Sequence, residues 1–157
     1  VTKEKREGTI MGRKKKVFLS YSHMDEEFKE RLDTHFSALK RSDKIETWND
    51  RKMLPGTMLD EKIKEQLRNA DIIILLISAD FIASDYCYKI EMQEAMERAK
   101  QKKCVMIPVI LRPCAWTDTP LGEFLALPKD GKPIAKYELS DDAYLEVVNG
   151  VKDVLNQ

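Results

Sequence analysis

Asp71-Ile72-Ile73-Ile74-Leu75-Leu76-Ile77-Ser78-Ala79-Asp80-Phe81-Ile82-Ala83-Ser84-Asp85-Tyr86-Cys87-Tyr88-Lys89-Ile90-Glu91 is the stretch that decides the fold. Residues 72–77 form an unbroken apolar run rich in β-branched side chains, the pattern of a strand covered on both faces inside a parallel sheet. The run stops at Ser78-Ala79-Asp80. A helix is expected from Ser84 or Asp85, both good N-cap types, to about Lys103. Strand then helix is half of a strand–helix–strand unit, and its loop lies at the carboxyl end of a buried strand. Open α/β sheets bind ligands at that edge, so residues 78–91 are expected to form one wall of any site.

Upstream, Val17-Phe18-Leu19-Ser20-Tyr21-Ser22 reads as the first strand. A helix is expected over residues 25–40, with Phe28, Leu32, Phe36 and Leu39 on one face and Asp25, Glu26 and Glu27 at the positive end of its dipole. Residues 45–50 read as a short second strand. The Pro55-Gly56 pair makes 51–56 a loop, and Thr57, with Asp60 three residues on, is expected to cap a helix whose inner row is Leu59, Ile63 and Leu67. Downstream, residues 105–111 read as a fourth strand, short or partly unpaired because Pro108 removes a ladder donor. Residues 112–131 are a proline-rich connection, 133–137 a brief fifth strand, and Ser140 the cap of a last helix. Strands alternating with helices predict an α/β fold, a doubly wound five-stranded parallel sheet in the order 2-1-3-4-5 with helices on both faces. That order brings residues 20–23, 50–56 and 78–91 to one crevice.

Residues 1–16 are charged and without hydrophobic period, and read as a leader or linker to a single domain over 17–157. The 157 residues fit one core. Lys plus Arg and Asp plus Glu balance at 27 each, so no global field favours nucleic acid or an acidic membrane. No apolar run spans a bilayer, and the three cysteines are an odd number without a close pair; both point to a cytoplasmic protein.

Three relatives of this topology fit poorly. A phosphoryl-accepting receiver needs acidic residues after the first strand and an Asp ending the third, where this chain has Ser20-Tyr21-Ser22 and Ser78-Ala79. A dinucleotide fingerprint needs a glycine-rich turn, and no glycine lies between Gly12 and Gly56. Ser22-His23-Met24-Asp25-Glu26-Glu27 is a poor phosphate cradle for a flavodoxin. His23 and His35 have no companions at ligand spacing, so no metal is expected.

Phe18-Leu19-Ser20-Tyr21-Ser22, Trp48-Asn49-Asp50 with Leu54-Pro55-Gly56, and Ser84-Asp85-Tyr86-Cys87 with Glu91 together resemble a Toll/interleukin receptor (TIR) domain, and Ile107-Pro108-Val109 and Ala126-Leu127-Pro128 are similar to its bacterial members. The resemblance covers nearly the whole chain. It implies a flavodoxin-like five-stranded sheet with a mobile loop at 51–58. It further implies either cleavage of NAD at the nicotinamide–ribose bond, giving nicotinamide and ADP-ribose or a cyclic product, or scaffolding through TIR–TIR contacts. The enzymatic branch uses a glutamate in the helix after the third strand, which Glu91 matches. Plant and animal members usually place a Trp before the Cys and have two residues between that Cys and the Glu. Here the aromatic is Tyr86, and Tyr88, Lys89 and Ile90 intervene, leaving Glu94 as the alternative carboxylate.

The chemistry itself wants a carboxylate. Nicotinamide leaves readily, and C1′ of the ribose becomes oxocarbenium-like, as in glycoside hydrolysis. A fixed negative charge stabilises that centre and accepts bonds from ribose hydroxyls. The competing reading of Glu91 is an exposed carboxylate bordering the Met92, Ala95, Met96, Ala99 stripe. Trp48 and Tyr86 are candidates to stack on nicotinamide or adenine, against ordinary packing. Ser20, Tyr21, Ser22 and Ser78 are candidates for ribose or phosphate contacts, Arg51 and Lys52 for the diphosphate, and Asp50 for anchoring the loop. Cys87 reads as packed and inert. NAD is substrate, with no other cofactor. The resemblance implies self-association and a role in bacterial immune or anti-phage defence, and with the charged leader and the abrupt end it leads one to expect a module of a longer protein that carries a sensor domain.

Overall fold

The computed structural model describes residues 13–49, 55–56 and 58–157. Four parallel strands form its sheet, in the order β2-β1-β3-β4: β1 (Lys15–Ser20), β2 (Ile45–Trp48), β3 (Ile72–Ile77) and β4 (Val105–Ile110). The helices are α1 (Glu26–His35), α2 (Ser37–Arg41), α3 (Leu59–Asn69), α4 (Ala79–Ala83), a π-helix (Tyr86–Met92), α5 (Gln93–Lys100) and α6 (Ser140–Leu155).

β3 is buried throughout. Its side chains alternate between two cores, as a pleated strand in mid-sheet must. Ile72, Ile74 and Leu76 join Leu32 and Phe36 of the α1 region and Val147 and Val151 of α6. Ile73, Leu75 and Ile77 join Ile63 and Leu67 of α3, Cys87 and Met92 of the π-helix, and Met96 of α5. Each fully buried Ile or Leu contributes roughly 1.5–3 kcal/mol, so this central strand is the chief source of burial.

The expected fifth strand does not form. Residues 133–137 instead hold a 3₁₀ turn, Ile134–Lys136, tied to the sheet by Ala135 N–H donating to Leu111 O at 3.0 Å. Pro133 supplies no donor to extend that contact, and the outer edge of β4 is already engaged. Leu127 N–H donates to Pro108 O, and Ile110 N–H to Leu127 O, both at 2.8 Å. Pro108 does not shorten the strand: β4 pairs with β3 over its whole length. In an extended strand a residue's nitrogen lies on the side of its own carbonyl, so the missing donor of Pro108 faces Leu127 and spares the β3 ladder.

Two long helices are broken where the sequence reading ran them on. The expected 25–40 helix begins with a 3₁₀ turn, His23–Asp25, capped by Ser22, and divides at Phe36 (φ −78°, ψ −1°) into α1 and α2. Residues before Ser84 form α4, which Ser78 caps by accepting Phe81 N–H, and Ser84 (ψ 118°) interrupts the helix there. Ser84 then caps the next segment as expected, accepting Cys87 N–H at 3.1 Å. The helix at 140 starts with Ser140, with Leu139 as its cap. The Thr57 cap, residues 1–12 of the leader, and positions 50–54 of the loop lie outside the described residues. Among the described residues no helix is long and apolar enough to cross a membrane.

Two local features give testable results. Gly131 has φ +71°, and a Cβ there would lie 2.8 Å from Trp116 Cζ2. Left-handed backbone costs an L-residue about 1–2 kcal/mol, so Gly131→Ala is expected to lower stability by at least that much, read by urea midpoint. On the outer side of α1, His35 stacks on Tyr144 with ring centroids 5.0 Å apart, and its Nε2 lies 3.0 Å from Asp141 Oδ1. Arg31 donates to the same oxygen at 3.3 Å. His35 first and Arg31 second hold the Asp141 carboxyl below its ordinary value. A depressed carboxyl contributes stability above its unfolded value and loses it as pH falls through the folded one. Asp141→Asn is therefore expected to flatten the melting temperature against pH below about 4, a small effect because the group is exposed and screened.

Candidate functional site

A cleft of about 360 Å³ opens at the carboxyl end of the sheet, at the divide between β1 and β3. Residues 21–23 make one wall and Ser84, Tyr86, Cys87 and Glu91 the other, with Leu59 and Ile63 of α3 at its side. Its key member is Glu91, only 6% exposed. Ser20, the last residue of β1, points to the same face as Phe18 and donates its hydroxyl to Glu91 Oε1 at 2.9 Å.

The π-helix explains how a charged residue comes to be inside. Its i→i+5 turn is wider than an α-turn and takes up an added residue. Cys87, Glu91 and Met92 face inward while Lys89 and Ile90 face solvent. The third residue between Cys87 and Glu91 is thereby absorbed, and the carboxylate stays on the cleft side. Glu94 does not join it: that side chain lines a separate groove with Lys64 and Arg68.

The other expected site residues divide. Tyr21 sends its side chain into the first core and turns its carbonyl toward Cys87, whose Sγ lies 3.5 Å away. Ser22 is spent largely on capping, accepting Met24 N–H at 3.2 Å. Tyr86 lines the cleft, half-buried. Trp48 stacks instead on Phe18, centroids 5.2 Å apart, beside a different groove lined by Lys16, Gln66 and Asn69. Asp50 and Arg51 lie outside the described residues.

Ser78 is fully buried and does not line the cleft. It donates to Asp25 Oδ2 in a short bond while accepting from Phe81 N–H at 3.1 Å. Arg112 Nη2 donates to Asp25 Oδ1 at 2.6 Å and to Asp80 Oδ2 at 2.7 Å. Hydrogen bonds to Asp80 and then Asp25 hold the guanidinium above its already high ordinary value. Asp25 itself is 1% exposed. Sequence reasoning took Asp25 as a dipole charge and Arg112 as loop. The available signal was that both lie in the connections leaving strands at the ligand-binding edge, Arg112 two residues after β4 and Asp25 at the end of the turn after β1.

A larger and more open groove of about 780 Å³ runs between α1 and α6, over Phe28, Ile134, Tyr137 and Tyr144 with glutamates on its rim. The smaller cleft is the better candidate, because it alone of the two contains a carboxylate that the fold buries and a hydroxyl aimed at it. Such a group stabilises positive charge far more strongly than one in water.

A family model described as TIR domain matches residues 17–144. The uncharacterised protein y4lF of Sinorhizobium fredii is 48% identical over 137 residues, which are 87% of this chain and 42% of y4lF. This chain therefore spans less than half the length of that relative. Among solved structures, the TIR domain of the Toll-related receptor TRR-2 of Hydra magnipapillata superposes with a TM-score of 0.62 at 22% identity, covering 87% of this chain and 97% of that one. The TIR domains of the activated Roq1 resistosome, which recognises the effector XopQ, give 0.63 at 14% identity, covering 87% and 99%. Sheet order, the motifs after β1 and β3, and the matched span agree: the chain belongs to the TIR-domain family.

Proposed function

We propose that this TIR domain cleaves NAD at the nicotinamide–ribose bond, with Glu91 as the catalytic carboxylate. The observation that carries the reading is the burial of Glu91 at the cleft, with Ser20 bonded to it. As the C1′–N bond lengthens, its electron pair leaves with neutral nicotinamide and positive charge grows on the ribose. Glu91 stabilises that charge across the cleft. Ser20 holds one carboxylate oxygen, so no reorganisation is needed as the charge develops. Water then adds to C1′ and releases a proton, giving ADP-ribose; attack by the adenine ring in its place gives a cyclic product.

The cleft volume of about 360 Å³ sits at the small end of the ~300–1,000 Å³ typical of ligand sites. It suits the nicotinamide riboside half, with Tyr86 beside the ring. The ADP half then extends past His23 and Leu59, where a neighbouring copy of the domain completes the site. Arg51 and Lys52, in the connection after the second strand, are proposed to meet the diphosphate, and Asp50 to anchor that connection. Activity therefore rises on clustering, and the trigger belongs to a sensor segment of a longer protein, in an immune or anti-phage setting.

One observation favours a non-catalytic adaptor. Met58 and Leu59 are large apolar side chains exposed at 67% and 52% beside the same opening, the kind of surface that partners cover. The deciding experiment follows NAD and nicotinamide by chromatography over the chain clustered on a surface and over the dispersed chain. Nicotinamide release that grows with clustering supports the enzyme. Constant NAD with retained self-association supports the adaptor, and intact NAD recovered bound to the protein indicates a sensor.

A further inference from the structure

We propose that Asp25 is a positioning residue that sets the distance between the two walls of the Glu91 cleft, acting through Ser78 and Arg112. The inference rests on the NAD-cleavage reading for its kinetic test, though not for its spectroscopic one. After Ser20 the chain leaves the sheet and turns through His23–Asp25. That turn closes on itself, with Asp25 N–H donating to Ser22 O at 2.8 Å. Its far end is fastened by the Asp25 carboxylate, which places one oxygen on Ser78 and the other on Arg112.

Both partners belong to the opposite side of the site. Ser78 follows β3 and caps α4, the segment that leads into the π-helix carrying Glu91. Arg112 follows β4 and also grips Asp80 of α4 at 2.7 Å. One buried carboxylate thus ties the β1 wall to the root of the Glu91 helix and to the end of β4. Side chains 53 and 87 residues apart in sequence meet on it. An apolar residue would fill this place without the cost of dehydrating a charge, and a carboxylate at 1% exposure whose Arg112 partner is 37% exposed is a poor device for stability alone. What it supplies is register, and register is what a carboxylate needs in order to lie against one atom of a bound sugar.

Asp25→Asn keeps the shape and an acceptor for Ser78 but loses the charge facing Arg112. Small misplacements in an active site cost on the order of 10²-fold in rate. Clustered Asp25→Asn and Arg112→Leu are each expected to lose about that much kcat with KM for NAD changed only severalfold, and the double variant to be no worse than either single one, as coupled groups are. Arg112→Lys, which keeps a cation without the fork, is expected to fall between wild type and Arg112→Leu. Val147→Ala, a cavity in the core on the other face of the sheet, serves as the comparison for lost stability and is expected to keep wild-type kcat when assayed well below its melting point. In the amide NMR spectrum of the dispersed chain, Asp25→Asn is expected to move the signals of Ser20–Met24 and of Ser84–Glu91 together, and Val147→Ala, which shares a core with Tyr21, to leave those of Ser84–Glu91 in place.

Kinetic constants for Asp25→Asn within twofold of wild type, or additive losses in the double variant, overturn the proposal. If the wild type cleaves no NAD at all, the functional reading fails, and the spectra decide the role of Asp25 alone: joint movement of the two walls supports it, and movement of the β1 wall by itself overturns it. Should Asp25→Asn not fold, Arg112→Lys and Ser78→Ala are judged by the same two readouts.

Discussion

Glu91→Gln is expected to lower kcat for NAD cleavage by clustered protein about 10²–10³-fold, the scale of removing one preorganised electrostatic contact from a transition state. Glutamine has the size of glutamate, and its carbonyl still accepts the Ser20 hydroxyl that the structure aims at this position. The substitution therefore removes the charge while keeping the side chain's shape and its bond from Ser20. Charge matters most when C1′ turns cationic and least when NAD is merely bound, so the loss belongs in kcat, with KM nearly unchanged. Glu94→Gln serves as the control, since Glu94 lines another groove. Equal loss in both variants, or none in Glu91→Gln, rejects Glu91 as the acting group.

The largest effect on stability is expected from Phe81→Ala. Phe81 is fully buried in the core beneath α3 and the π-helix. It sits on α4, whose five residues are too few to hold a helix without tertiary contacts. Removing a buried Phe side chain costs about 3–5 kcal/mol in transfer and cavity terms. For a chain of this size that lowers the melting temperature by roughly 6–20 °C. Calorimetry reads it directly, and a fall of under about 3 °C would mean that α4 collapses onto the space. Because α4 carries Ser78's capping bond through Phe81 N–H, the same change is expected to loosen the approach to Glu91.

The four strands were all legible, for different reasons. Residues 72–77 are apolar on both faces and can only be central, and β3 is indeed flanked by β1 and β4. The order 2-1-3-4 follows from short right-handed crossovers, and it correctly puts Ser20 opposite the helix that bears Glu91. The fifth strand was misread because 133–137 has strand composition but arrives at an edge where Leu127 is already bonded to Pro108 and Ile110. Local composition cannot report an occupied edge. The broken helices have a similar origin: Ser78 and Ser84 are both able to cap, and which one begins a helix depends on what the chain packs against.

Glu91 and Ser20 were named from motif and topology, and the structure joins them at 2.9 Å. Ser78 was named as a ligand contact, whereas the fold commits it to Asp25. Trp48 was offered for stacking on a base, and Phe18 takes that face. In both cases a polar or aromatic side chain at the right edge has the right chemistry, but a protein neighbour reaches it first.

What the sequence by itself determined is the alternation of strand and helix and the parallel order, because these follow from hydrophobic period and connection length, while the resemblance to TIR domains singled out Glu91 on the helix after β3. Only the tertiary structure decided that Glu91 is buried, through a π-turn that absorbs the residue between it and Cys87. It alone brought Asp25, Ser78 and Arg112 together. The physical reason is the same for both. A charge is buried only where its partners converge, and convergence of side chains tens of residues apart is a property of packing, which no local window of sequence contains.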